Sequence, residues 1–166
     1  MPHGGGSGIG FVGAVWRSRP TSRGNIRIRS GDAFAHPRIV ANVYSTAHDV
    51  DKMLAGVKFL RLIAGQSAFA KLVAEELRPG PGVVSDADLI SDFRERSGTV
   101  YRPGCTCRIG ASAASSVVDG RLRVHGVAGL RVMDASSFPN LIAGNTNAPA
   151  MLVGWKGAEM VLEDAR

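Results

Sequence analysis

The chain has 166 residues, 45% of them hydrophobic and 20% charged, the composition of an ordinary folded domain and not of a disordered tail or a fibre. At this length a single domain buries roughly two thirds of its unfolded surface, and the short, charge-interrupted apolar runs exclude a membrane span of ~20 residues. The net charge of +6 is local: residues 1–40 hold Arg17, Arg19, Arg23, Arg27, Arg29 and Arg38 against Asp32, and the remainder is close to neutral.

The opening "MPHGGGSGIGFVGAVW" reads as a poorly structured, glycine-rich lead-in over residues 1–16. It has no charged leader before a clean apolar core, so no secretory signal is read and a cytoplasmic location is expected. Gly8, Gly10 and Gly13 have GxGxxG spacing, with Asp32 nineteen residues on. A dinucleotide loop needs a buried strand before it and a helix after it, and this stretch has neither, with Pro20 closing the second possibility.

"RGNIRIRSGD" alternates Ile26 and Ile28 with Arg27 and Arg29, which predicts a strand with one buried face, and the arginines as its solvated face. An arginine-rich nucleic-acid binder over residues 17–29 is the weaker alternative, since no aromatic platform or recognised DNA-binding motif accompanies the charge. From Asp49 and Asp51 to Gly65, the apolar positions Met53, Leu54, Val57, Leu60 and Ile63 predict an amphipathic helix. A short helical piece follows at residues 67–73, and "RPGPG" stops it. Ser85, with Asp88 three residues on, caps a further helix.

Beyond residue 116, short strands at Val117–Val118, Leu122–Val124 and Leu130–Met133 are joined by Asp-Gly, His-Gly and Ala-Gly turns. A final helix opens at Pro149, whose fixed φ suits a first turn. Separate strands and helices give an α+β class.

Cys105 and Cys107, the two cysteines, sit one residue apart in "TVYRPGCTCRIG". The spacing suits neither a disulfide nor a zinc clip nor a CxxC redox pair. His3, His36, His48 and His125 lie in unrelated segments, so no metal site is expected. There is no GxSxG elbow. The loop Gly144-Asn145-Thr146-Asn147-Ala148 leads into the last helix, and on its own reads either as a capped helix end or as free N–H groups facing an anionic or electron-rich ligand.

Three stretches then carry a resemblance. "RLRVHGVAGLRVMDASSFPNLIAGNTNAPAMLV", "RPTSRGNIRIRSGDAFAHPRIVANVYS" and "RPGPGVVSDADLISDFRERSGTVYRPGCTCRIG" together resemble the C-terminal part of the glucose-methanol-choline (GMC) flavoprotein oxidoreductases over about residues 17–163. The resemblance implies a substrate-binding domain, a mixed or antiparallel sheet with helices on one face, and a C-terminal segment that returns to an FAD domain. The N-terminal FAD-binding half, with the family's true GxGxxG, is absent from residues 17–166. The implied chemistry is oxidation of a small-molecule alcohol to aldehyde or ketone with hydride transfer to FAD. The isolated chain is expected to be impaired or inactive, and unable to retain FAD alone.

By position, the resemblance places Asp134 and Ala135 along the FAD, and Asn145, Asn147 and Ala148 at the isoalloxazine ring, facing the positive end of the last helix. Asn145 stands where members have His or Asn against the substrate alcohol. Arg102 stands where the family's TVYHPxGTCRMG has its catalytic histidine, and arginine holds its proton too firmly to accept one. Cys105 stands at a family glycine, a position suited to positive φ or close backbone approach. The other class of reading is a non-catalytic interaction or regulatory module that pairs with a separate FAD-binding chain. In either case the Val153, Met160 and Val161 face of the last helix is expected to lie against that missing half.

Overall fold

A computed structural model describes residues 10–166. His3, Gly8 and the rest of the first nine positions lie outside the described residues. The elements are β1 (Asn25–Arg27), β2 (Arg38–Val40), α1 (Ala47–Ala64), α2 (Ser67–Ala70), α3 (Asp86–Arg96) and α4 (Asn147–Asp164), with a 3₁₀ turn at Ala135–Ser137.

The α+β mixture is present, but among the described residues the sheet is one antiparallel pair, with Ile26 opposite Ile39. The alternation at Ile26 and Ile28 does mark a strand, yet neither residue is buried, and Ile28 is 90% exposed. Among the described residues no helix packs on the ribbon, so its apolar positions find no cover there. The strands expected between residues 117 and 133 reduce to isolated bridges, Ile109 with Val118, Val118 with Val124, and Arg123 with Arg131. Turns at Asp119, Gly126 and Gly129 reverse the chain before any ladder can extend; Asp119 Oδ1 accepts from the N–H groups of Arg121 and Arg123.

The helices follow the sequence pattern closely. Thr46 caps α1 by accepting from Asp49 N–H, and Met53 turns into the core while Leu54, Val57 and Leu60 are half-buried. Ser85 caps α3 as its spacing with Asp88 requires, and Leu89 and Phe93 are buried against α1. Arg61 pins the "RPGPG" loop: its guanidinium meets the Glu76 carboxylate at 3.0 and 2.9 Å and donates to the Val83 and Gly80 carbonyls.

Residues 10–16 form no helix or strand, but they pack on the helices. Phe11 meets Phe69 edge-on, with centroids 4.9 Å apart, and Val15 lies so near Gly56 that a Cβ there would sit 2.5 Å from it. The strongest polar tie is at Asp49, 1% exposed, whose carboxylate accepts from Arg17 Nε and Nη2, from the N–H groups of Thr21 and Ser22, and from Thr21 Oγ1. Burial alone would raise its pKa; the donors of Ser22, Thr21 and Arg17 outweigh it and hold the carboxyl well below its ordinary range. Arg23 likewise donates to Asn140, so two of the five arginines in residues 17–29 are committed to internal bonds.

The buried apolar residues among those described are few: Met53, Leu89 and Phe93 where α1 meets α3, and Val118, Leu122 and Phe138 further along the chain. The accessible surface is 12,485 Å², against about 7,900 Å² for a compact protein of this mass and about 25,000 Å² for its unfolded chain. The chain therefore buries about half of its unfolded surface, not the two thirds that its length allows. Much of the surplus is apolar, and on α4 it falls on Met151, Leu152, Trp155 and Leu162, with Trp155 67% exposed. The face expected to be uncovered was that of Val153, Met160 and Val161, and of these Val161 is exposed. Val153 and Met160 are instead half-buried, because they flank Gly157, which turns to Met133 of the same chain.

Candidate functional site

The segment from Gly104 to Ile109 is stitched onto the 3₁₀ turn. Cys105, Cys107 and Ile109 donate in succession to the carbonyls of Ala135, Ser136 and Ser137 at 3.1, 2.9 and 2.9 Å. Two stretches that sequence alone could only place apart are thus one structural unit. A Cβ on Gly104 would lie 3.2 Å from the Ala135 carbonyl oxygen, so this glycine serves close approach. Positive φ falls on its neighbour: Cys105 has φ 68°.

A cysteine in the left-handed region carries strain that glycine does not. Replacing Cys105 by glycine should therefore stabilise the chain by about 1 kcal/mol, even after the entropy glycine loses on folding. The check is the urea midpoint at unchanged m-value; a lower midpoint would mean that packing of the thiol outweighs the strain. Burial raises the Cys105 pKa, with Arg23 and Arg108 pulling the other way, so the thiol is poorly suited to act as a nucleophile.

Helix α4 is fixed at its far end. Arg121 donates to the Met160 carbonyl, Glu163 and Asp164, and Arg131 pairs with Asp164 and donates to the Arg121 carbonyl. Cations at a helix C-terminus also complement its dipole. A Cβ on Gly157 would fall 2.3 Å from Met133 Sδ, so only glycine lets the helix lie this close to the chain that leads into Asp134.

The near end opens two residues earlier than Pro149 suggests, at Asn147, and Pro149 takes the third helical position, where its missing N–H costs no helical bond. Thr146 is the N-cap residue but has helical angles and makes no side-chain cap. The first-turn amides therefore lack the usual side-chain acceptor. Beside them Arg102 donates from Nη1 to Asn145 Oδ1. Arg102, Asn145, Thr146, Asn147 and Ala150 line an open cleft of about 350 Å³.

Of the residues singled out from the sequence, Arg102, Asn145 and Asn147 therefore meet at one cleft. Ala148 is exposed on the same helical turn but does not line it. Asp134 and Ala135 lie on the 3₁₀ turn, where Asp134 Oδ1 accepts from Ser136 N–H and Oγ. Thr146 and Ala150 also line the cleft; their place follows from the start of α4 at residue 147, which Pro149 obscured. His125 makes bonds of its own, its Nε2 lying 3.1 Å from Ser116 Oγ and 3.2 Å from the Gly110 carbonyl. Among the described residues no group of acidic, cysteine and histidine side chains is arranged for a metal, and no helix is long and apolar enough to cross a membrane.

Comparison with known proteins places the chain in a family. The family model described as GMC oxidoreductase, covering its C-terminal domain, matches residues 20–154. An alcohol dehydrogenase [acceptor] of Pseudomonas putida is 41% identical over 155 residues, 93% of this chain and 28% of the relative. An oxygen-dependent choline dehydrogenase of Acinetobacter baumannii is 39% identical over 152 residues, 92% of this chain and 27% of the relative. Among solved structures, pyridoxine 4-oxidase from Mesorbium loti superposes with a TM-score of 0.76 at 31% identity, covering 86% of this chain and 28% of that one. The chain spans little more than a quarter of the length of these relatives, and it belongs to the GMC oxidoreductase family, of whose C-terminal domain it is an example.

Proposed function

We propose that the chain is the substrate-side, C-terminal part of an FAD-dependent oxidoreductase acting on CH–OH groups, and that it is inactive until joined to an FAD-binding portion. What supports this reading is the cleft: Arg102 and Asn145, which the resemblance assigns to the positions of the family's reacting pair, are in contact beside the start of α4.

The residues present fit one edge of a flavin. Asn145, Asn147 and Ala148 are small or amide-bearing, exposed, and set at a helix N-terminus whose positive end favours negative charge on a neighbouring ring. They do not fit the whole cofactor, because among the described residues no strand leads through a glycine loop into a helix to hold the phosphates. When bound, FAD would supply the hydride acceptor. This chain's part is to position the alcohol through Asn145, with Arg102 fixing the Asn145 side chain by donating to its oxygen. Neither side chain takes up the hydroxyl proton.

The surplus surface supports pairing with a flavin-binding portion, within one polypeptide or as a separate chain. An apolar stripe of Met151, Leu152, Trp155 and Leu162 on the helix that starts at the cleft is the surface such a portion would cover. The test is a chimera in which residues 17–166 replace the matching C-terminal part of the Pseudomonas putida relative. The chimera should co-purify with flavin absorbance while the 166-residue chain alone does not. A folded chimera without flavin would overturn the reading.

A further inference from the structure

Most of the well-placed arginines meet an acid, while Arg23, Arg94 and Arg108, like Arg102, meet only carbonyl or amide oxygens; what sets Arg102 apart is that it lines an open cleft. Arg17 pairs with Asp49, Arg61 with Glu76, Arg96 with Asp92, Arg123 with Asp119, and Arg121 and Arg131 with Asp164. Among the described residues Arg102 meets only the neutral Asn145 oxygen, and no carboxylate lines its cleft. We propose that the cleft takes a small monocarboxylate, bound through the Arg102 guanidinium, so that the substrate class is an acid and not a neutral alcohol alone.

Three features point to this class. A guanidinium has five donors in a planar fork, and a single bond to Asn145 leaves enough of them to grip both oxygens of a carboxylate. The cleft holds one cationic side chain, which a monoanion balances; a phosphate dianion would bring a charge without a partner. At about 350 Å³ the space lies at the small end of ligand sites. The uncapped start of α4 beside it adds favourable potential but is secondary to the side chain. The assignment deepens the reading of this cleft as the substrate site, and rests on it for the word substrate; anion binding itself does not.

The experiment is a titration of the ¹⁵N-labelled 166-residue chain with acetate, inorganic phosphate and ethanol in turn, followed at the amides of Asn145, Asn147 and Ala150. Acetate should produce saturable shifts, phosphate should bind more weakly, and ethanol should leave the amides unmoved. Arg102→Gln, which keeps a donor for Asn145 but removes the charge, should weaken acetate at least tenfold, and Arg102→Lys should weaken it less. An acetate response that is absent or unchanged in Arg102→Gln overturns the proposal, and phosphate binding tighter than acetate overturns the choice of carboxylate. A chimera that holds flavin while acetate fails to bind sinks this inference alone. Acetate binding in a chain whose chimera holds no flavin keeps the anion site and removes the oxidoreductase reading.

Discussion

Replacing Asp49 with alanine should lower the unfolding free energy by about 3 kcal/mol, a large share of the stability of a domain this size. The carboxylate is the common acceptor for five donors from residues 17–22, and it sits in the first turn of α1, where negative charge is favoured. Removing it strands the Arg17 guanidinium and the N–H groups of Thr21 and Ser22 in a part-buried place. Asp49→Asn should cost less, since an amide oxygen still accepts. Urea unfolding of the two variants gives the ranking, and an alanine variant within 0.5 kcal/mol of the parent, the usual scale of a surface change, would show that the tie is dispensable.

The same group sets an acid limit. Its folded pKa is held below the unfolded value, so its contribution is fully present above about pH 4 and is lost as the pH falls through the folded value. Asp119 acts in the same direction, lowered to about 2, first by the Arg123 N–H and then by the Arg123 side chain against the cost of burial. Stability should thus fall steeply below pH 4. In Asp49→Ala that limb should be shallower, because one of the depressed carboxyls, which also include Glu159 and Asp164, has gone.

How much of this was legible depended on whether the signal was local. Thr46 and Ser85 cap helices through bonds three residues long, so the bounds of α1 and α3 follow from the chain itself. The burial of Ile26 and Ile28 did not follow: a period of two marks a strand, but burial requires a partner layer, and none among the described residues covers this ribbon. The short strands after residue 116 failed for a related reason, since hydrophobic doublets between tight turns suffice for single bridges but not for ladders. At the site, the residues were named through the family resemblance, and their meeting is a fact of folding. Arg102 and Asn145 are 43 positions apart and meet because the Cys105–Ile109 segment is sewn to the 3₁₀ turn and α4 is pinned by Arg121 and Arg131. The burial of Asp49 under Arg17 and residues 21–22 left no trace in the sequence beyond an acid at a helix start.

Arg102→His, made in the flavin-binding chimera, should raise kcat/KM for a neutral primary alcohol by about 10²-fold or more. Oxidising the alcohol carbon requires the hydroxyl proton to leave as the carbon gives up its hydride, and the parent cleft offers it no acceptor: arginine stays protonated, Asn145 is an amide, and the remaining lining is Thr146, Asn147 and Ala150. An imidazole at position 102, next to Asn145, supplies a base whose ordinary pKa lies near neutrality, and the gain should appear above that pKa and vanish below it. The same change should weaken acetate binding at neutral pH, because the fixed charge is gone. Cys105→Gly combined with it separates chemistry from fit: relief of the φ 68° strain should add stability to the single variant without supplying a base of its own. If the chimera binds flavin and neither the single nor the double variant oxidises the alcohol faster than the parent, the missing proton acceptor is not what limits this site.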